Sequence, residues 1–192
     1  MKELYIAPKP YSFDLNQDMM NMLHEEFKPD KVVAKFAEAI KNKSASEVAE
    51  IGNKIFTEYG REWIKRTLQL GEEYPDRTYE VLKEAVDQTG TYKFALLPQR
   101  FLEVAYLSTQ DISTLPIVEN NADRLIYKMV DCLTYKTIKE KCGEDVAKLM
   151  TCKGACLAAC EQLHKDLDID MMLDMEAEMA KDEYCQFDVR RA

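Results

Sequence analysis

The apolar period changes once along this chain, and that change limits the folds open to it. Before residue 110 the apolar residues recur every three or four positions, as amphipathic helices require. Asp30 can cap a helix whose apolar face is Val33, Phe36, Ala37 and Ile40. Ser44 with Glu47 fits a capping box opening the next helix, which carries Val48, Ile51, Ile55, Tyr59 and Trp63 on one side and can run to Gly71. Pro75 and Asp76 mark a turn, and Asp76 opens a helix with Tyr79, Leu82 and Val86 inward and Gly90 at its end. Pro98 begins a further helix through Phe101, Leu102, Ala105 and Tyr106.

Residues 111–123 read as a loop, and beyond them the pattern alternates. Arg124 to Val130 has the β-branched, alternating character of a strand, and a helical stretch follows from about Leu133 to Leu167. Met171, Leu173, Met175, Ala177 and Met179 then alternate with Met172, Asp174, Glu176 and Glu178, a half-buried strand with an acidic outer face. Lys181 to Glu183 and the run Cys185 to Val189 complete a hairpin. The expected fold class is therefore α+β: a helical half at 1–110, then a small antiparallel sheet with a long cysteine-bearing helix at 111–192. At 192 residues the two halves are expected to form a single domain.

Function classes are narrowed by charge and leader. A net charge of −9 with scattered basic residues argues against nucleic acid, which needs clustered lysine and arginine. The opening MKELYIAPKPYSFDL holds no apolar run long enough for a signal peptide, and no later stretch has the length of a membrane span, so a cytoplasmic location is expected. Glycines at 52, 60, 71, 90, 143 and 154 are too dispersed for a phosphate-binding loop.

Six cysteines follow position 131: Cys132, Cys142, Cys152, Cys156, Cys160 and Cys185. In a reducing compartment such residues serve as thiols, metal ligands or a nucleophile rather than as disulfides. Cys152, Cys156, Cys160 and His164 recur every four residues, so on one continuous helix each lies nearly above the last, drifting about 40° per step. The column would be about 18 Å long, so one ion cannot touch all four. Two neighbours plus Cys185 could hold zinc or an iron–sulfur cluster. Set against this, Cys156 and Cys160 could be small apolar core residues packed with Leu149, Leu163 and Leu167.

Other chemistry competes for the same residues. Glu161 and His164 have half of a di-iron motif, with only His24 available for a second half. A thiolate–imidazole pair of Cys160 and His164 would make a nucleophile, set against two unreactive neighbours. The aromatics Trp63, Tyr74, Tyr79, Tyr92, Phe94, Phe101 and Tyr106 either line a pocket for a small organic molecule or pack the core. Met19, Met20, Met22 and Leu23 form a Met-rich arm that either docks onto a protein partner or another copy of the chain, or packs inside.

The segment from Arg124 through Cys132, the cysteine helix and the closing Lys181-Asp182-Glu183-Tyr184-Cys185-Gln186-Phe187 resembles the L-2-amino-thiazoline-4-carboxylic acid hydrolase family. It is also similar to the related 4-vinyl-reductase ligand-binding domains, over about seventy residues. The resemblance implies an α+β domain with a small-molecule pocket and, in the 4-vinyl-reductase group, a cysteine-rich metal site whose last ligand matches Cys185. Lys181 replaces the usual glycine, and Asp174 and Ala177 stand where that pattern has glutamate and cysteine, so any metal would need other ligands. Three readings stay open: a small-molecule-binding protein with a metal or cluster at Cys152, Cys156, Cys160, His164 and Cys185; a hydrolase of a cyclic C–N or C–S substrate using cysteine or metal-bound water; and an accessory protein.

Overall fold

Asn16 starts the first helix by accepting the backbone N–H groups of Asp18 and Met19 at 3.1 Å each, and it is the first residue that the computed structural model describes. The described residues are 16–74, 77–90, 94, 96–110 and 115–192. The proposed cap Asp76 and the aromatic Tyr92 lie outside them. Helix α1 (Gln17–Phe27) buries Met19 and Leu23 against Leu70 and Val104, so these two side chains are core and not a docking face. His24 Nδ1 donates to the Ser108 carbonyl at 3.1 Å, which ties the arm down.

Helix α2 (Pro29–Ala39) is preceded by Lys28 and not capped by Asp30. Pro29 takes the first helical position, where its missing N–H costs nothing, and this moves Asp30 into the first turn. Ser44 and Glu47 form the expected capping box, and α3 runs from Ala45 through Gly71 to Glu73. α4 (Thr78–Thr89) ends on Gly90 in the left-handed conformation, as a C-terminal glycine should. It buries Val81, Leu82 and Ala85, while Tyr79 stands exposed. α5 (Leu96–Thr109) has Pro98 in its first turn and is buried along nearly its whole length.

The expected loop contains a strand, β1 (Ile117–Asn120), paired antiparallel with β2 (Arg124–Val130). The long cysteine helix is three pieces: α6 (Leu133–Cys142), α7 (Glu144–Ala147) and α8 (Lys153–Asp166). The breaks fall at Gly143, with φ of 92°, and at Met150, with φ of 51°. Strand β3 (Met171–Ala177) alternates as expected but stops at Ala177, because Met179 opens the short helix α9 (Met179–Asp182) before β4 (Tyr184–Arg191). The sheet order is β1-β2-β4-β3, antiparallel throughout. The architecture is therefore α+β, helical first and with one small sheet.

Helix α8 lies along α3, and small residues make the close approach. A Cβ on Gly60 would collide with the Ala155 carbonyl, and one on Gly52 would sit 2.7 Å from the Thr151 side chain. A single apolar cluster joins both halves of the chain, from Val33 and Phe56 to Leu163, Phe187 and Val189. The outer sheet face is acidic but neutralised. Arg124 binds both Asp188 carboxylate oxygens at 2.8 and 2.9 Å, and Arg190 pairs with Asp174.

Candidate functional site

Where α3, α5, β2 and the start of α8 meet the β3–β4 end of the sheet, the core is not filled. The hollow contains about 520 Å³ of space between atoms, counted out to its open mouth, while its inner part has room for about two waters. One wall comes from α3 and α5: Tyr59, Trp63 and Tyr106. Tyr59 stacks on Trp63 with ring centres 6.0 Å apart, and Tyr106 meets Trp63 edge-on at 5.2 Å. The opposite wall comes from Met129 on β2, Met175 on β3, and Met150 and Ala155 around the start of α8. The lining is mainly apolar.

Four thiols line this hollow: Cys132, Cys152, Cys156 and Cys185. Three belong to the five residues singled out by the sequence. Cys160 and His164 do not line it, because four residues of helix overshoot a full turn by about 40°, and the steps from 156 to 164 carry the stripe into the core. Cys152 is not in the helix at all but caps it. Cys132 escaped the spacing argument since it lies on the turn between β2 and α6 and follows no periodicity. There its thiol meets the backbone N–H groups of Thr134 and Tyr135, while Gln110 accepts the Leu133 N–H at 2.9 Å. Tyr59 was legible only as part of the apolar side of α3, and Tyr135 was not singled out at all.

Burial decides the charge state of these groups. Removing a thiolate from water is costly, so burial pushes Cys132, Cys152 and Cys156 up, and Cys185 up to about 12. Each thiol further disfavours ionisation of its neighbours: Cys132 acts on Cys152, Cys156 and Cys185. The Tyr106 hydroxyl lies beside Cys156, and burial holds Tyr59 and Tyr106 above the ordinary phenol value. Near neutral pH the hollow is therefore lined by uncharged thiols and phenols. Its one cation among the described residues, Lys153, is held at 2.6 Å by Glu178.

These facts overturn the metal and hydrolase readings. Among the described residues no three His, Cys, Asp or Glu side chains are grouped so that they could hold a metal ion. The zinc or iron–sulfur centre expected at Cys152, Cys156, Cys160, His164 and Cys185 is corrected accordingly: its members split between hollow and core, with Cys160 and His164 away from the other three. The nucleophile fails for a related reason. Cys160 Sγ lies 3.7 Å from His164 Nδ1, but that nitrogen donates to the Cys160 carbonyl at 2.8 Å and cannot also take the thiol proton. Burial pushes the Cys160 thiol up to about 12 and holds His164 below its ordinary value. Among the described residues the hydrolase reading thus finds neither a thiol poised to ionise beside a base nor a group of side chains able to hold a metal. Of the Met-rich arm expected to dock or to pack inside, Met19 and Leu23 are internal, while Met20 and Met22 are half-buried. The half di-iron motif finds no second half among the described residues, where neither His24 nor His164 belongs to a group of three side chains able to hold a metal.

Of the seven aromatics proposed for a pocket, Trp63 and Tyr106 line the hollow. Phe94 and Phe101 are packed in the core, and Tyr79 is exposed. Among the described residues no helix is long and apolar enough to cross a membrane.

No family model matches the chain, and no curated protein matches it. Among solved structures, a point mutant of T. tengcongensis H-NOX is 15% identical, with 90% of this chain and 92% of that chain covered at a TM-score of 0.38. A Cs H-NOX mutant carrying an unnatural cyano-substituted aromatic amino acid is also 15% identical, with 90% of each chain covered at a TM-score of 0.37. Likeness at that level carries no argument about function.

Proposed function

We propose that this chain is a binding domain for a small, uncharged or mostly apolar organic molecule, seated in the hollow between α3, α5, α8 and the sheet. The observation that supports it is the wall itself: aromatic, methionine and protonated-thiol side chains around space that the core does not fill. Neutral thiols behave as small polarisable apolar groups, and methionines adapt to a guest by changing rotamer. The inner part is narrow, so Met175 and Met179, both half-buried at its edge, would swing aside as a ligand enters. A reducing cytoplasm, which keeps six thiols free, is the location we infer.

Burying about 180 Å² of a single aromatic ring and its short chain would gain about 4–5 kcal/mol, an affinity near the millimolar to high-micromolar range. The experiment uses the chain's one tryptophan, Trp63, which lines the hollow. Titration with n-butylbenzene should change its emission saturably, and Cys156→Leu, which fills the hollow, should weaken that response about tenfold. A parent protein whose emission drifts linearly without saturating would end this reading.

A further inference from the structure

Beside the hollow lies a second, wider depression, a bowl lined by Asp131, Lys136, Lys139, Glu144 and Glu183. Cys132, Tyr135 and Met179 line both and so stand between them, at what would be the throat for a ligand spanning the two. The two chambers differ in chemistry. The inner one is mainly apolar, and among the described residues its single charged side chain, Lys153, is already paired with Glu178. A ligand's charge would therefore be stranded there, whereas the bowl is open to water.

We propose that the molecule held here is a small amphipathic amine, with its apolar body in the hollow and its ammonium group in the bowl. This rests on the binding reading above and adds the ligand's class. Of the bowl's charges, Lys136 is paired with Asp131, and Lys139 lies 2.6 Å from Glu144. Glu183 is the remaining charge, in no ion pair among the described residues. The pairing of Val130 with Tyr184 sets Asp131 and Glu183, the residues just beyond that pair, at one end of the sheet. Both hold left-handed backbone, with φ of 58° and 63°, where glycine would be unstrained. Two carboxylates are thus fixed on the rim above the throat, and only one has a cation. Tyr135, which lines both chambers, puts an aromatic ring within reach of an ammonium group held there. The chain's charge of −9 raises the local concentration of cations in the same sense.

The test compares three ligands that share one body: n-butylbenzene, 4-phenylbutylamine and 4-phenylbutyrate, titrated calorimetrically at low salt. The amine should bind tightest, by about fivefold over the carboxylate, the ratio that one exposed ion pair can supply. Glu183→Gln, at an exposed position, should bring the two within about twofold while leaving n-butylbenzene unchanged, and raised salt should shrink the preference in the parent. If the carboxylate binds the parent as tightly as the amine, or the preference survives in Glu183→Gln, the amine inference is overturned while the hollow remains a binding site. If none of the three binds, the binding reading itself falls and takes the inference with it.

Discussion

The two ends of α8 carry the same residue type into opposite surroundings. At its start, Cys152 and Cys156 face the hollow beside Cys132 and Cys185. Two turns on, Cys160 and His164 are 0% and 2% exposed in a filled core. Nothing in the spacing distinguishes the two ends. What separates them is the slow rotation of a four-residue stripe around the helix, which moves it from one neighbour to the next. A recurrence that looks like one site is, on a real helix, a passage from an unfilled hollow into close packing. At the first end a thiol lines open space, and at the second it is volume that the core needs.

Both ends depend on the α3–α8 seam, so the largest effect should come from breaking it. Alanine normally stabilises a helix by about 1 kcal/mol over glycine. At Gly60 a methyl group would collide with the Ala155 carbonyl, which belongs to the backbone and cannot rotate away. Gly60→Ala should instead lose about 3 kcal/mol in urea denaturation, at the upper end of overpacking costs. An unchanged or raised midpoint would mean that the helices can part, and that the hollow is not bounded by a rigid wall.

The next effect compares the two ends directly. Cys160→Ser sets a smaller hydroxyl in the filled core, where Tyr127 and His164 lie beside it but close packing leaves no room to adjust, and should cost about 1–3 kcal/mol. Cys156→Ser sets its hydroxyl in the hollow near the Tyr106 hydroxyl, where it can find a partner, and should cost under about 1 kcal/mol. Equal losses would erase the distinction between filled core and hollow.

Much of this was legible in the sequence wherever a local rule acts alone. The Ser44–Glu47 box, the Gly90 terminator, the bounds of β2 and the alternation of β3 all come from neighbours within a few residues. Other features are settled by partners far along the chain. Strand β1 has four residues, too few to show a period, and its Val118 points outward. Gly143 marks one break in the cysteine helix, yet the other falls on Met150, a residue type with no preference for positive φ. Of the hollow, Cys152, Cys156 and Cys185 were singled out and Cys132 was not, because a turn has no periodicity from which to infer its facing. Asp30 was misplaced for a simpler reason: Pro29 fixes the first helical position, and the capping preference of aspartate yields to it.

The smallest effect concerns the filled end, where burial holds the His164 imidazole below its ordinary value of 6.5. Its Nδ1 donates to the Cys160 carbonyl and its Nε2 is buried with no partner among the described residues, so the fold accepts the neutral ring. The sign follows from proton counts. Well above pH 6.5 neither state binds a proton here, and the contribution of the neutral ring is complete. As pH falls below that value the unfolded chain gains a proton that the folded chain refuses, so stability declines by at most about 1.4 kcal/mol per pH unit until the lowered folded value is reached. His164→Asn keeps a donor for the Cys160 carbonyl but does not titrate. The difference between parent and variant in urea midpoint should therefore grow steadily more unfavourable to the parent as pH drops from 6.5. A flat difference would place water or a counter-charge beside Nε2, and the C-terminal end of α8 would then be as open as the end that faces the hollow.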